Sequence, residues 1–244
     1  NGIHFSGPDI RDPIIVGNVI RDVGRMGIEV LGNTVTTQSR AIITGNQVLL
    51  PRSFGISLGD RFENSIIANN TILTPVDIGI ELGGTVADPG PHHTTIANNT
   101  IRNGAASTRA IEINETRRCV VVGNTISITT QTLATIRMWE ICDYTIIIGN
   151  VISECGSGAS AAAIEFATVI NKGCIVAFNT IVNSPGSVDG WIVGGLQDSL
   201  IIGNVLEHTA ATGTGSGILI TGAAGNADNY IALNSVRGFA GVGG

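Results

Sequence analysis

The chain has 244 residues, of which 13% are charged and 4% aromatic, and its formal net charge is −6 at pH 7. That length suits one large all-β domain whose interior must be filled by aliphatic side chains. The net negative charge argues against nucleic acid as a partner, since phosphate binding needs a basic face; no apolar run is long enough to span a membrane, so no membrane insertion is expected.

The first predicted strand is Gly2-Ile3-His4-Phe5. Successive strand side chains alternate between faces, so its second and fourth residues point inward and its third points to solvent. A second strand runs through Ile14-Ile15-Val16 to Asn18, and a third short strand carries Ile20. The first strand then recurs at Gly27-Ile28-Glu29-Val30, Gly55-Ile56-Ser57-Leu58, Gly79-Ile80-Glu81-Leu82, Ala110-Ile111-Glu112-Ile113 and Thr135-Ile136-Arg137-Met138. It continues at Ala163-Ile164-Glu165-Phe166, Gly190-Trp191-Ile192-Val193 and Gly217-Ile218-Leu219-Ile220. The asparagine recurs at 18, 46, 70, 99, 124, 150, 179, 204 and 234, at gaps of 24 to 30 residues. A branched aliphatic stands three residues before each one, and another aliphatic two residues after it. The residue five before, from Pro13 and Ala41 to Asn229, is short and is expected to point inward as well.

A near-fixed period with residue types in register marks a stacked-coil protein. The recurrent asparagine has a structural role, because it tolerates a left-handed backbone and offers a donor and an acceptor at a sharp bend. Stacked at one corner, the nine should bond to one another as a ladder. None is a candidate catalytic residue.

The phrases Ile14-Ile15-Val16-Gly17-Asn18-Val19-Ile20, Ile66-Ile67-Ala68-Asn69-Asn70-Thr71-Ile72 and Val120-Val121-Val122-Gly123-Asn124-Thr125-Ile126 resemble the repeat of the pectate-lyase-like right-handed parallel β-helix family. The resemblance covers essentially the whole chain. It implies a single all-β solenoid of about nine coils over residues 1–244 with an internal asparagine ladder. The family includes polysaccharide lyases, polygalacturonases, alginate epimerases and phage tailspikes, so the fold is implied more firmly than any one activity. No Asp-Pro-His-Glu of the epimerases, no paired-Asp signature of the polygalacturonases and no calcium nonapeptide is present. The open coils at both ends suggest a piece of a longer polypeptide or ends covered by partner chains.

The outward positions of the second strand, four and two residues before each asparagine, hold no charge in eighteen places. A solvent-facing sheet normally carries charge, so this face reads as an interface, either of a homotrimer packed along the helix axis or of another segment of the same polypeptide.

The third positions of the first strand form a column: His4, Glu29, Ser57, Glu81, Glu112, Arg137, Glu165, Ile192 and Leu219. Neighbouring rungs lie ~5 Å apart, which puts Glu81 beside Glu112 at the separation of an acid and a nucleophile in retaining glycosidases. These two are the candidate catalytic residues. Arg137 could hold a sugar carboxylate, and Trp139 offers a flat face for a sugar. With Glu165, Asp60, Glu115 and Glu140 they describe a polar groove over the middle coils. The turn after the first strand adds Arg61, Glu63, Asn114, Arg117, Arg118 and Asp143. The same column also fits a cross-strand charge ladder with no ligand.

Three features point to no chemistry. Cys119 and Cys174 stand two coils apart, too far to bridge, and Cys142 and Cys155 lie in turns. His92 and His93, next to each other, are expected to face different ways rather than share a metal. The stretch Gly213 to Gly217 lacks the lysine and helix of a phosphate loop. No cofactor is implied. The leading expectation is a carbohydrate-recognising, tailspike-like β-helix, with polysaccharide depolymerase activity (hydrolase or lyase) as its enzymatic form. Its partner would be a polysaccharide or cell-surface glycan, and its location extracellular or on a virion. The alternatives are a non-enzymatic shaft of a fibre or spike, and a secreted monomeric lyase or epimerase.

Overall fold

The computed structural model describes residues 1–7, 10–32, 40–59, 62–83, 90–103, 109–128, 133–154, 162–182, 191–208, 216–220 and 228–239. They form three parallel sheets of nine strands each, which we call A, B and C, and no helix among the described residues. Each coil contributes one strand to each sheet in turn, beginning with Ile3–Ser6 in A, Ile14–Val16 in B and Val19–Arg21 in C. Every strand pairs with its equivalents one coil away, so the order within a sheet is the order along the chain. The result is a parallel β-solenoid.

The interior is a stack of aliphatics from all three sheets. Sheet A supplies Ile28, Ile56, Ile80, Ile111, Ile136 and Ile164, sheet B Ile43, Ile67, Ile96, Val121, Ile147 and Val176, and sheet C Val48, Ile72, Ile101, Ile126, Ile152 and Ile181, all fully buried. Each contributes ~1.5–3 kcal/mol by leaving water, and β-branched side chains suit the pleat. The short residues five before each asparagine also point in, with Ala41, Thr94, Cys119, Thr145 and Cys174 buried. At Ile231 and Val236, in the last described strands of B and C, the side chains are exposed.

Sheet A opens each coil on a small residue because two walls meet there. A Cβ added at Gly55 would fall 2.5 Å from the carbonyl oxygen of Gly79 and 2.5 Å from Ile72 Cγ2. Trp191 breaks this pattern. It pairs with the rung of Ala163 and Gly217 and is fully buried, 5.6 Å from the His208 ring and 4.8 Å from that of Phe239. The small-residue rung is therefore Trp191, not Gly190, and the strand is displaced by one residue from the expected register. Ile192 pairs with Ile164 and is buried, while Val193 pairs with Glu165 and takes the outward place assigned to Ile192. An aromatic filling in these coils replaces the glycine that marks the register elsewhere.

The asparagines stack at the corner between B and C. Asn124 shows the bonding. Its Oδ1 accepts from the backbone N–H and the Nδ2 of Asn99, at 2.9 and 3.0 Å. Its Nδ2 donates to Asn150 Oδ1 at 2.9 Å and to the Ile96 carbonyl at 3.0 Å. From Asn46 onward each carboxamide thus satisfies a backbone carbonyl of the preceding coil as well as its neighbours in the ladder. The left-handed residue is not the ladder asparagine, as the sequence suggested, but the one before it: Gly17, Gly45, Asn69, Asn98, Gly123, Gly149, Phe178, Gly203 and Leu233 all have φ between 53° and 70°. The ladder asparagine keeps an ordinary backbone and contributes its side chain.

Candidate functional site

The outward column of sheet A is in the expected register from His4 to Glu165: Glu81 pairs with Ser57 and with Glu112, Glu112 with Arg137, and Arg137 with Glu165. It is less open than expected. Glu29 and Ser57 are buried, and Glu81, Glu112, Arg137 and Glu165 are half-buried. The long side chains lie along the sheet and engage each other. His4 Nδ1 meets Glu29 Oε2 at 2.7 Å, Ser57 Oγ donates to Glu81 Oε2 at 2.7 Å, and Arg137 Nε sits 2.9 Å from Glu165 Oε2.

The two central carboxyls differ in surroundings. Glu112 Oε2 forms an ion pair at 2.7 Å with Arg109, which stands at the start of the strand Arg109–Asn114. Glu81 meets no cation among the described residues, only the Ser57 hydroxyl and the charges of Glu112, Asp77 and Glu29. Burial pushes the proton affinity of Glu81 up, Ser57 opposes this, and the three carboxylates add to it. Burial raises Glu112 too, against the pull of Arg109 and Arg137. Glu81 is thus the carboxyl disposed to hold a proton, and Glu112 the one with cations to stabilise its charge.

Arg137 sits over the Trp139 ring, its guanidinium carbon 3.8 Å from the ring centre. One face of the indole is thereby covered, so a sugar would have only the other. Trp139 pairs in register with Asn114 and Ala167, at the edge of the column. Glu115 and Glu140 form a separate rim. Both have left-handed φ, and Glu115 is 8% exposed, its carboxyl pushed up by burial and then by the charge of Glu140. Asp60 and Arg61 lie outside the described residues.

Of the turn residues, Asn114 ends the strand Arg109–Asn114 beside Trp139, but the cationic ones do not join this groove. Arg117, Arg118 and Asp143 lie at the corner between sheets A and B with His92, His93 and Tyr144, around a hollow of about 350 Å³. The two histidines border the same hollow through different partners, His92 with the Arg117 backbone N–H and His93 with the Arg118 guanidinium. Sequence reasoning also missed Arg109 and Asp77. Arg109 is outside the repeating column, and its one sequence signal is its place three residues before Glu112.

Cys119, Cys142 and Cys174 are free and buried, while Cys155, like residues 84–89 and 213–215, is outside the described residues. Burial pushes the Cys119 and Cys174 thiols up to about 12, which makes them unreactive. Among the described residues no three His, Cys, Asp or Glu side chains are grouped to hold a metal, and no helix is long and apolar enough to cross a membrane.

A family model described as a right handed beta helix region matches residues 1–128, just over half of the chain. The chain belongs to the right-handed β-helix family. Among solved structures it is similar to PfbA, a surface adhesin of Streptococcus pneumoniae, at 12% identity and a TM-score of 0.59, covering 89% of this chain and 60% of that one. It is also similar to an alginate lyase from a Paenibacillus strain, at 14% identity and a TM-score of 0.54, covering 91% of this chain and 75% of the lyase. The chain therefore spans less than two thirds of the adhesin's length, and likeness at these identities concerns the fold. No curated protein matches the chain in sequence.

Proposed function

We propose that this right-handed β-helix is a carbohydrate-recognising, tailspike-like domain, extracellular or carried on a virion, and that the sheet A column is a polysaccharide-cleaving centre. The observation that supports it is the unequal pair: Glu81 and Glu112 adjacent in register, one without a cation and one bound to Arg109. Glu81 is the proton donor to the glycosidic oxygen, and Glu112 is the carboxylate that stabilises or attacks the sugar carbon. Arg137 stands on the next rung to hold an acidic sugar. The lyase among the similar folds and the adhesin, a surface protein, support the class without fixing the reaction.

The test is a panel of polysaccharides assayed for new reducing ends and for ultraviolet absorbance of unsaturated sugars, which separates hydrolysis from elimination. Glu112→Gln should lower the rate by at least ~10³-fold, as expected when a charge formed only at the transition state loses its partner. An unchanged rate moves the centre elsewhere, and no turnover by the parent chain on any glycan leaves a structural shaft.

The outward face of sheet B supports a homotrimer. None of its eighteen positions is charged, and Ile14, Val16 and Ile66 are exposed in the single chain. Light scattering should give three times the 25.1 kDa mass of one chain, and Ile146→Lys should shift it towards one. A parent chain of monomer mass removes the trimer.

A further inference from the structure

The corner between sheets A and B stacks a second set of side chains, one that a Glu81–Glu112 centre does not use. His92 and His93, Arg117 and Arg118, and Asp143 and Tyr144 stand seven and six residues before Asn99, Asn124 and Asn150, so they fall on consecutive coils. The second of each pair has φ between 55° and 58°. All six line the hollow of about 350 Å³. Arg117 stands five residues after Glu112, but the chain turns a corner between them.

The bonding inside the hollow leaves several N–H donors available. The backbone N–H of Arg117 donates to His92 Nδ1 at 2.9 Å, so the neutral ring carries its proton on Nε2. The Arg118 guanidinium reaches His93 Nε2 at 3.3 Å, so that neutral ring carries its proton on Nδ1. Arg117 meets Asp143 only at 4.0 Å, and half of its side chain is exposed. The other oxygen of Asp143 already accepts the Lys172 backbone N–H at 2.8 Å. The Arg118 guanidinium lies 5.8 Å from the centre of the Tyr144 ring, and that ring rests over Gly173, where an added Cβ would come within 2.6 Å of it. Among the lining residues two guanidiniums therefore face one committed carboxylate, with the charge of Glu63 acting on His92 from the preceding coil, in a chain whose net charge is −6. General attraction between this surface and an anion is unfavourable, so local geometry must supply any anion binding.

We propose that this hollow is an oxyanion site, taking a carboxylate or sulfate group between the Arg117 and Arg118 guanidiniums, with the remaining N–H groups of His92 and His93 as further donors. A planar guanidinium matches two oxygens of such a group at once, and charge-assisted bonds of this kind are the strong ones. The hollow stands apart from the carboxyl pair, so the inference does not rest on the cleavage chemistry. Its ligand is either a free inorganic oxyanion or the acidic group of a sugar.

The test is calorimetric titration of the whole chain with sulfate, phosphate, glucuronate and a sulfated oligosaccharide, at constant ionic strength set by chloride. Proton–carbon spectra of the histidine rings are followed in parallel. Saturable binding of at least one of the four, with shifts confined to His92 and His93, is expected. Arg117→Gln/Arg118→Gln should weaken it at least tenfold with the circular dichroism unchanged, while Glu112→Gln leaves it intact. Arg118→Gln alone is the second variant, should the double one fold poorly. Tighter binding of the sugar acids assigns the site to an acidic glycan, and tighter binding of sulfate assigns it to the free ion; both support the site. No saturable binding of any of the four, or equal affinity in the arginine variants, overturns it.

Discussion

Replacing Asn124 by alanine tests the ladder more directly than any other change. The alanine removes the one acceptor of the Asn99 backbone N–H, 2.9 Å away, and the Nδ2 that caps the buried Ile96 carbonyl at 3.0 Å. The Asn99 N–H is left unpaired where water does not reach, while the Ile96 carbonyl keeps its ladder position beside the next strand, so a loss of about 2–3 kcal/mol is expected. Asn18 supplies the control. Its Nδ2 donates to Asn46 Oδ1 at 3.0 Å and to the Val16 carbonyl, but its own Oδ1 accepts from no described residue. Being half-buried as well, its replacement should remove about 1 kcal/mol or less. Urea unfolding followed by circular dichroism, read as the change in midpoint at constant slope, compares the two. Equal losses at the two sites would refute the reasoning, because the difference comes solely from position in the ladder.

The environment of Glu81 sets a pH dependence. Its folded proton affinity lies above the ordinary value of 4.5, so the folded chain binds this proton more tightly than the unfolded one. The group therefore favours folding below about pH 4.5 and loses that contribution as pH rises through the raised value. Glu81→Gln should flatten this fall and leave the variant at least as stable at pH 7, and a steeper fall in the variant would contradict it. For the displaced strand, Ile192→Ala should cost ~2–5 kcal/mol as a core truncation, against ~0.5 kcal/mol or less for Val193→Ala. The reverse order in urea melts would restore the register expected from Gly190.

The solenoid is legible in the sequence because its determinants repeat. The inward aliphatics on either side of each asparagine stand at fixed offsets, and stacking forces the same residue type on every coil. The features that escape a reading of the sequence do not repeat, or are overshadowed by one that does. The conspicuous asparagine draws attention away from the left-handed residue before it, although glycines at 17, 45, 123, 149 and 203 mark that position. Ile192 is misplaced by counting from Gly190, because a tryptophan occupies a rung where small residues are the rule. Arg109 approaches Glu112 from the start of its own strand, a contact that counting along the column does not reveal. The corner hollow depends on three unlike pairs lying one above another. Each pair alone reads as an ordinary polar turn, and only the stacking turns them into a concave surface.

The ladder also has a direction. From Asn46 to Asn204 every carboxamide donates to the one on the following coil and accepts from the one before, while Asn18 only donates along the ladder and Asn234 only accepts. Each coil therefore presents its neighbour with the same pair of demands and meets the same pair in return. A coil is then an interchangeable module: one copied in tandem, asparagine and preceding left-handed residue included, meets a matching partner on both sides. An inverted coil would set donor against donor. Growth and shortening by whole coils should thus be the variation this architecture tolerates best, with the spacing between the carboxyl column and any other site along the axis adjustable in steps of one coil, ~4.8 Å.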